Sequence, residues 1–104
     1  MDRPIDVDEL DWDEGNRNKC QKHGVTVAQI EQVLDGEFFV AEDPQHSLVE
    51  RRFKVVGPDD DGRTIFIIMT LRPSGDRILA RPISARYMHA KEMRRYEQTL
   101  ADPE

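Results

Sequence analysis

The chain has 104 residues, 38% of them hydrophobic and 35% charged, which allows one domain with a small core and excludes a second core or a disordered chain. The longest apolar run, residues 65–69, is far shorter than the ~20 residues of a membrane-spanning helix, and the N-terminus lacks the pattern of a signal peptide. The net charge of −6 argues against a general nucleic-acid binder, and the single cysteine, Cys20, excludes an internal disulfide. We therefore expect a soluble, reduced, cytoplasmic protein with no membrane association and a single domain over residues 1–104.

The N-terminal part of the chain predicts an extended segment followed by a polar helix. Residues 5–12 at first alternate apolar and acidic side chains, which is typical of a short edge strand or an extended arm, and residues 1–9 are interpreted as an acidic arm. Residues 13–23 are polar apart from Cys20 and predict an exposed helix. Gly24 fits the left-handed position that ends a helix.

A second helix is predicted more sharply. Thr26 and Gln29 have the spacing of a capping box, in which each side chain satisfies a free amide of the first turn. Residues 27–35 then carry apolar side chains at helical spacing, and Gly36 follows as a stop. The side chains expected to face the core are Val27, Ile30, Val33 and Leu34.

From residue 38 onward the apolar period changes to two, which predicts strands. Residues 38–41 form a short apolar strand, and residues 49–55 alternate apolar with charged side chains, as a half-exposed strand does. Residues 57–62 predict a turn with a conformationally free glycine at each end. Residues 63–71 are apolar on both faces, as expected of a central strand.

The C-terminal part predicts a third long strand and a closing helix. After a turn at residues 73–76, residues 77–85 form a strand in which Pro82 cannot donate to a neighbour and so marks an edge or a bulge. Residues 88–100 return to helical spacing, and residues 101–104 are expected to be a frayed tail. The apolar side chains expected to be buried on that helix are Met88, Met93, Tyr96 and Leu100. The predicted fold class is α+β, with N-terminal helices, an antiparallel sheet of about four strands and a closing C-terminal helix.

The charges are distributed unevenly along the chain. Residues 1–14 hold seven acids and one base, whereas residues 77–95 hold six bases and one acid. Contacts with phosphates supply most non-specific affinity for nucleic acids, and a local basic segment can still act over a Debye length of ~8–10 Å. On charge alone, a solvated surface is the simpler interpretation of both segments.

Metal and nucleotide chemistry have little support. The three histidines, His23, His46 and His89, are too widely spaced for a ligand motif, and no glycine-rich phosphate loop is present. We therefore expect no metal and no other cofactor. Lys19 and Lys22 lie near Cys20 in the chain and could lower the pKa of its thiol, but a buried, inert thiol is the simpler interpretation.

Several polar residues near the ends of predicted elements form the set that a metal-free ribonuclease needs. Cleavage of RNA requires removal of the 2′-hydroxyl proton, neutralisation of the pentavalent phosphate and protonation of the 5′-oxygen. Glu or His can move the protons, and Arg can bind a phosphate through its planar fork. The candidates are Lys22, His23, Glu50, Arg52, Arg72 and Arg86. From the residues alone, surface charges and ion pairs are the favoured explanation of these residues.

Several segments, taken in order, resemble the BrnT family of type II toxins. The first two are residues 12–16 (Trp-Asp-Glu-Gly-Asn) and residues 22–25 (Lys-His-Gly-Val). The later ones are residues 50–53 with Gly57, residues 70–72, and residues 82–86 followed by Glu92 and Tyr96. Together they extend over nearly the whole chain, from about Leu10 to Tyr96.

The resemblance implies a RelE-like fold and a metal-independent ribonuclease toxin, a hydrolase that acts on RNA in the cytoplasm. It also implies a BrnA-like antitoxin with a ribbon-helix-helix DNA-binding part as the partner, in a complex such as a heterotetramer, or a toxin homodimer. The residues that we carry over as catalytic are His23, Glu50, Arg52, Arg72 and Arg86. Lys22 and Lys91 are expected to bind RNA. Our hypothesis for the roles is proton transfer by Glu50 or His23 and phosphate binding by the three arginines.

Two other functions stay open. One is a catalytically inactive protein-binding module that keeps the fold, which the dispersal of the candidate residues over the surface would favour. Their clustering in one cleft would favour the enzyme. The other is a sequence-specific DNA binder with residues 91–95 on its recognition helix, a weaker alternative because these residues also fit the polar face of the closing helix.

Overall fold

The computed structural model describes residues 9–42 and 51–101, with their side chains up to residue 95. The elements in chain order are β1 (Glu9–Leu10), α1 (Glu14–Cys20), α2 (Val27–Asp35), β2 (Phe39–Glu42), β3 (Arg52–Pro58), β4 (Thr64–Ser74), β5 (Arg77–Tyr87) and α3 (Ala90–Ala101). They form a mixed α+β fold with three helices and a five-stranded sheet in the order β1-β5-β4-β3-β2. None of the helices in the described ranges is long and apolar enough to cross a membrane.

The sheet has one strand more than the sequence predicts. β2 to β5 form the expected antiparallel meander, whereas β1 pairs with β5 in parallel, with Leu10 opposite Ala80. The predicted edge strand is therefore real but only two residues long. Of the predicted acidic arm, Glu9 belongs to β1, and residues 1–8 lie outside the described residues.

The first helix is shorter than predicted. Asp13 caps α1, because its side chain accepts the amide N–H of Asn16 at 3.0 Å while Asn16 Oδ1 accepts the amide N–H of Asp13 at 2.7 Å. The helix ends at Cys20 rather than near residue 23. Gly24 does adopt a positive φ of 90°, but in the turn that follows the helix, so the predicted conformation is confirmed and the predicted helix end is wrong.

The second helix confirms the prediction. α2 spans Val27–Asp35, and Thr26 and Gln29 form the capping box through hydrogen bonds in both directions. Of the four side chains expected to face the core, Ile30, Val33 and Leu34 are buried, while Val27 is half-buried.

The core lies between the two N-terminal helices and one face of the sheet. Alternate residues of β4 point into the core. The buried residues of β3 and β5 follow the same alternation, apart from the bulge in β5. The buried apolar residues are Cys20, Val25, Ile30, Val33, Leu34, Phe38, Phe53, Val55, Ile65, Ile67, Met69, Ala80 and Ala85.

Gly57 does not begin a turn, as the sequence predicts, but lies buried within β3. A Cβ atom at this position would meet Phe38 Cβ and Val33 Cγ1 at 3.0 Å each. Glycine is needed at this position because α2 and residues 37–38, just before β2, pack directly against its backbone. Only the other end of the predicted turn has the expected conformation, with φ of 83° at Gly62.

Of the two placements predicted for Pro82, the bulge is confirmed. Pro82 pairs with Met69 and Ser84 with Ile68, so Ile83 is the extra residue at the shift in register. β5 runs on to Tyr87, two residues beyond its predicted end. The last helix begins at Ala90 rather than 88, with Met88 and Met93 half-buried. Of the predicted frayed tail, residues 101–104, Ala101 is instead the last residue of α3, and residues 102–104 lie outside the described residues. The side chains of Tyr96 and Leu100 also lie outside them.

Candidate functional site

The three predicted arginines share the sheet face that lies opposite the helices. Phe53 and Val55 of β3 point into the core, so the alternating residues Arg52 and Lys54 point away from it. The strand pairings place Arg72 of β4 and Arg86 of β5 on the same face. We call this surface the basic face and define it by Arg52, Lys54, Arg72, Arg81 and Arg86.

The basic face is organised in cross-strand rows. One row runs Phe39–Val56–Phe66–Arg86, the next runs Lys54–Ile68–Ser84, and a third runs Arg52–Thr70–Arg81. In the third row Thr70 is buried, and within the described part of the chain its Oγ1 has no hydrogen-bond partner. The face therefore combines apolar side chains at one end with guanidinium groups at both ends.

The three predicted arginines do not converge on one point. Arg52 and Arg72 are diagonal neighbours across β3 and β4, a separation of about 7–8 Å between Cα atoms. Arg86 lies opposite Phe66, six residues along β4 from Arg72, which corresponds to about 20 Å. A single phosphate cannot contact all three, but a strand of RNA with successive phosphates can.

Arg86 is held firmly at its end of the face. Its Nη1 and Nη2 donate to Glu92 Oε1 and Oε2 at 2.7 and 2.8 Å, and its Cζ lies 4.8 Å from the centroid of the Phe66 ring. The hydrogen bond from Arg86, followed by that from the His89 backbone, lowers the pKa of Glu92 from its usual 4.5 to about 2. Both partners are therefore ionised at neutral pH.

The other end of the face lies next to acidic residues. Arg81 contacts Asp13 at 2.8 Å and Asp11 at 3.5 Å, and the Asp11 carboxylate is also 3.9 Å from Arg72 Nη1. Arg77, at the start of β5, pairs with Glu9 at 3.1 Å. The acids of β1 and of the segment after it thus partly neutralise the basic face.

The predicted proton-transfer residues are not joined to these arginines by any described contact. Lys22 and His23 are exposed in the connection between α1 and α2, on the side of the sheet that carries the helices, and no hydrogen bond or ion pair of their side chains is found among residues 9–42 and 51–95. Glu50 lies outside the described residues. Lys91 is exposed in the first turn of α3, next to Glu92.

Cys20 is the inert thiol that the sequence predicts. It is fully buried, and burial raises the pKa of its thiol from 9.0 to about 11, although Lys19 and Arg81 act in the opposite direction. Across the described ranges, no three His, Cys, Asp or Glu side chains are close enough to hold a metal ion.

Some residues of the site were not among the predicted ones. Lys54 shares the face of Arg52 and is recognisable from the alternation of β3. Glu92 belongs to the resembling segments, but its contact with Arg86 depends on how α3 follows β5. Arg81 gives no local signal, because its environment is made by residues some 70 positions earlier in the chain.

Comparison with known proteins identifies the family. A family model described as the ribonuclease toxin BrnT of type II toxin–antitoxin systems matches residues 12–92, which are 81 of the 104 residues. The match contains β3, β4 and β5 and therefore every described arginine of the basic face. No curated protein matches the chain. The chain belongs to the BrnT family of ribonuclease toxins of type II toxin–antitoxin systems.

Proposed function

We propose that this toxin cleaves RNA by acid–base and arginine–phosphate chemistry, without a metal ion, in the cytoplasm. The observation that carries the proposal is the basic face, a surface of guanidinium and ammonium groups within a chain of net charge −6 that belongs to a ribonuclease family. Arg side chains suit this chemistry because they stay charged and bind phosphate oxygens through two parallel N–H groups.

The separation of the arginines suggests a division of roles. Arg52 and Arg72, about 7–8 Å apart, would hold neighbouring phosphates of a single strand. Arg86, with the aromatic ring of Phe66 beneath it, would contact the phosphate at which the reaction occurs. For proton transfer we keep Glu50 or His23 and prefer Glu50, because His23 lies on the helix side of the sheet, opposite the basic face. Lys22 and Lys91 keep their proposed role in attracting the RNA backbone.

The decisive test measures cleavage of a labelled single-stranded RNA by the purified chain. We expect wild type to cleave it with and without EDTA and to leave 2′,3′-cyclic phosphate ends, since the 2′-hydroxyl is the nucleophile. The same RNA with 2′-O-methyl groups should stay intact. The double variant Arg72→Ala/Arg86→Ala should lose cleavage and, when expressed in cells, growth arrest. The matched control is Arg17→Ala/Arg51→Ala, which removes two exposed arginines outside the basic face.

The partner of a type II toxin of this family is an antitoxin. We propose that it is BrnA-like, with a ribbon-helix-helix part, and that the two chains form a heterotetramer, whereas the toxin alone forms a homodimer or stays monomeric. Co-expression with the antitoxin followed by light scattering on the purified complex measures the stoichiometry. Loss of RNA cleavage in that complex would support neutralisation by direct binding.

A second candidate is a non-catalytic binding module that keeps the fold. The carboxylates of Glu92 and Asp11 beside Arg86 and Arg72 favour it, because they reduce the positive charge offered to a phosphate. Intact RNA and normal growth with a folded wild-type protein would support the module and contradict the enzyme.

A further inference from the structure

The contact between Glu92 and Arg86 leaves part of the guanidinium available. Glu92 takes one N–H from each Nη in an end-on arrangement, and the carbonyl of Tyr87 accepts from Nη1 at 3.4 Å. Within the described residues, nothing accepts a hydrogen bond from Nε or from the second N–H of Nη2. These two N–H groups are parallel and form the side edge of the guanidinium, which is a second fork suited to a phosphate.

The guanidinium is also fixed in position before any ligand binds. Phe66 lies beneath it with the ring centroid 4.8 Å from Cζ, and the side chain is only 36% exposed. Two hydrogen bonds to a carboxylate and one aromatic ring set both its location and its plane. A donor held in this way loses little conformational freedom when it binds a ligand.

Glu92 is itself held at the start of α3. Its Oε1 accepts the backbone N–H of His89 at 3.0 Å in addition to the hydrogen bond from Arg86. The position of the carboxylate is therefore set by the helix and by the guanidinium together. Because it stays ionised at neutral pH, it suits a role in holding a cation rather than in moving a proton.

We propose that Glu92 is a positioning residue of the ribonuclease site, which holds Arg86 end-on over Phe66 so that the Nε–Nη2 edge binds an RNA phosphate. The proposal rests on the proposed function, because it takes the ligand of Arg86 to be a phosphodiester. A purely structural Glu92, which only attaches α3 to the sheet, leads to a different expectation. Its replacement by a neutral residue would leave RNA affinity unchanged or raise it, since one negative charge is removed.

The first experiment compares Glu92→Gln with Glu42→Gln. Both variants remove one negative charge from a glutamate paired with an arginine, since Glu42 contacts Arg51 at 2.6 Å away from the basic face. The dissociation constant is measured by fluorescence anisotropy on a single-stranded RNA with 2′-O-methyl groups, which cannot be cleaved. We expect about tenfold weaker binding for Glu92→Gln, because a misplaced donor loses most of its contribution, and equal or slightly tighter binding for Glu42→Gln. Glu92→Asp, which keeps the charge, should recover part of the loss.

The second experiment observes Arg86 directly and does not need cleavage. The ¹⁵N-¹H NMR signal of its Nε–H group is assigned with Arg86→Lys and followed during titration with inorganic phosphate. We expect a saturable shift in wild type and a clearly smaller one in Glu92→Gln. Circular dichroism establishes that each variant is folded at the measuring temperature. If Glu92→Gln does not fold, Phe66→Leu removes the aromatic support instead and should reduce the same shift.

The outcomes separate the two proposals. Equal RNA affinities for Glu92→Gln and Glu42→Gln, or a wild-type Nε–H signal that does not respond to phosphate, would overturn the positioning role. A phosphate-dependent shift that is lost in Glu92→Gln supports this role. If the same wild-type protein leaves unmodified RNA intact, Glu92 still positions Arg86 for a phosphate, but the proposed ribonuclease function fails and the site only binds RNA.

Discussion

Nη2 of Arg81 lies 2.8 Å from Oδ2 of Asp13, which joins the acidic N-terminal segment to the basic C-terminal one. The parallel pairing of β1 with β5 brings these segments side by side, with Asp11 donating its amide N–H to the Ala80 carbonyl at 2.8 Å. The opposite charges, which are separated by some 70 residues in the chain, therefore neutralise each other along one edge of the sheet. The basic face carries less positive potential than its arginines alone would produce.

Replacing Asp11 by Asn should raise the affinity for RNA. The carboxylate lies within 4 Å of both Arg72 and Arg81, so the neutral side chain exposes the charge of two arginines to a phosphate strand. We expect the dissociation constant for single-stranded RNA at low salt to fall about two- to threefold and the gain to shrink at high salt, because these partly exposed charges are screened. Asp60→Asn, in an exposed turn on the helix side, is the control. An equal gain in the control would show that net charge alone is responsible.

Asn16→Ala should destabilise the fold strongly for a single polar residue. Asn16 is only 5% exposed, and its Nδ2 donates to the carbonyls of Asp11 and Pro82 at 2.9 Å each. Without these bonds the two carbonyls lose their donor and α1 loses part of its cap, which we expect to lower the free energy of unfolding by about 2–3 kcal/mol. Urea denaturation measures the effect. Asn18→Ala, on the exposed side of the same helix, should change the free energy of unfolding by less than about 1 kcal/mol.

Gly57→Ala should destabilise the protein through crowding. The added Cβ would lie 3.0 Å from both Phe38 Cβ and Val33 Cγ1 and 3.1 Å from the Glu37 carbonyl, so α2 would have to shift away from the sheet. We expect a loss of about 1–3 kcal/mol in the free energy of unfolding. A melting temperature as high as that of wild type would contradict the prediction and mean that α2 can move without a loss of stability. The control is Lys54→Ala, which measures the effect of a substitution at an exposed position of the same strand.

The thiol of Cys20 should be unreactive in the folded protein. Burial raises its pKa from 9.0 to about 11, so hardly any thiolate forms in the folded state at about pH 8. The thiol pKa is higher in the folded state than in the unfolded state. The contribution of the neutral thiol to stability is therefore complete below pH 9 and is lost as the pH rises from 9 towards 11. Labelling with a thiol reagent should therefore be slow in buffer and fast in urea. Melting curves of Cys20→Ala should show a smaller decline over this alkaline range, and rapid labelling of the folded chain would contradict the prediction.

The ion pair between Glu92 and Arg86 should stabilise the protein at neutral pH and lose its effect in acid. The folded pKa of Glu92, about 2, lies below the usual 4.5, so its contribution is complete above pH 4.5 and is lost as the pH falls towards 2. The difference in melting temperature between wild type and Glu92→Gln should therefore be largest near neutral pH and shrink over this acidic range. Thermal melts at several pH values test this, and a difference independent of pH would show that the two variants differ for another reason.

Much of the fold follows from signals that are local in the sequence. The capping box of Thr26 and Gln29 and the helical spacing after it predict α2 with its observed bounds, because a helix is stabilised by hydrogen bonds between residues three or four positions apart. The alternation in residues 49–55 likewise places Arg52 and Lys54 on one face, since a strand has a period of two. Pro82, which cannot donate a ladder hydrogen bond, predicts an edge or a bulge, and the structure has the bulge.

Other features depend on residues that meet only in the tertiary structure. The pairing of Leu10 with Ala80, the close packing on Gly57 and the contacts of Arg81 with Asp13 each join segments with no common local pattern. The sequence by itself thus determined the family resemblance, the second helix, most of the strands and the shared face of Arg52 and Lys54 within β3. Only the tertiary structure decided that Arg72 and Arg86 share this face, that they lie far apart on it, and which carboxylates lie beside the arginines. Local hydrogen bonding and periodicity specify the elements, whereas the distances between charges depend on the register and order of strands that are distant in the chain.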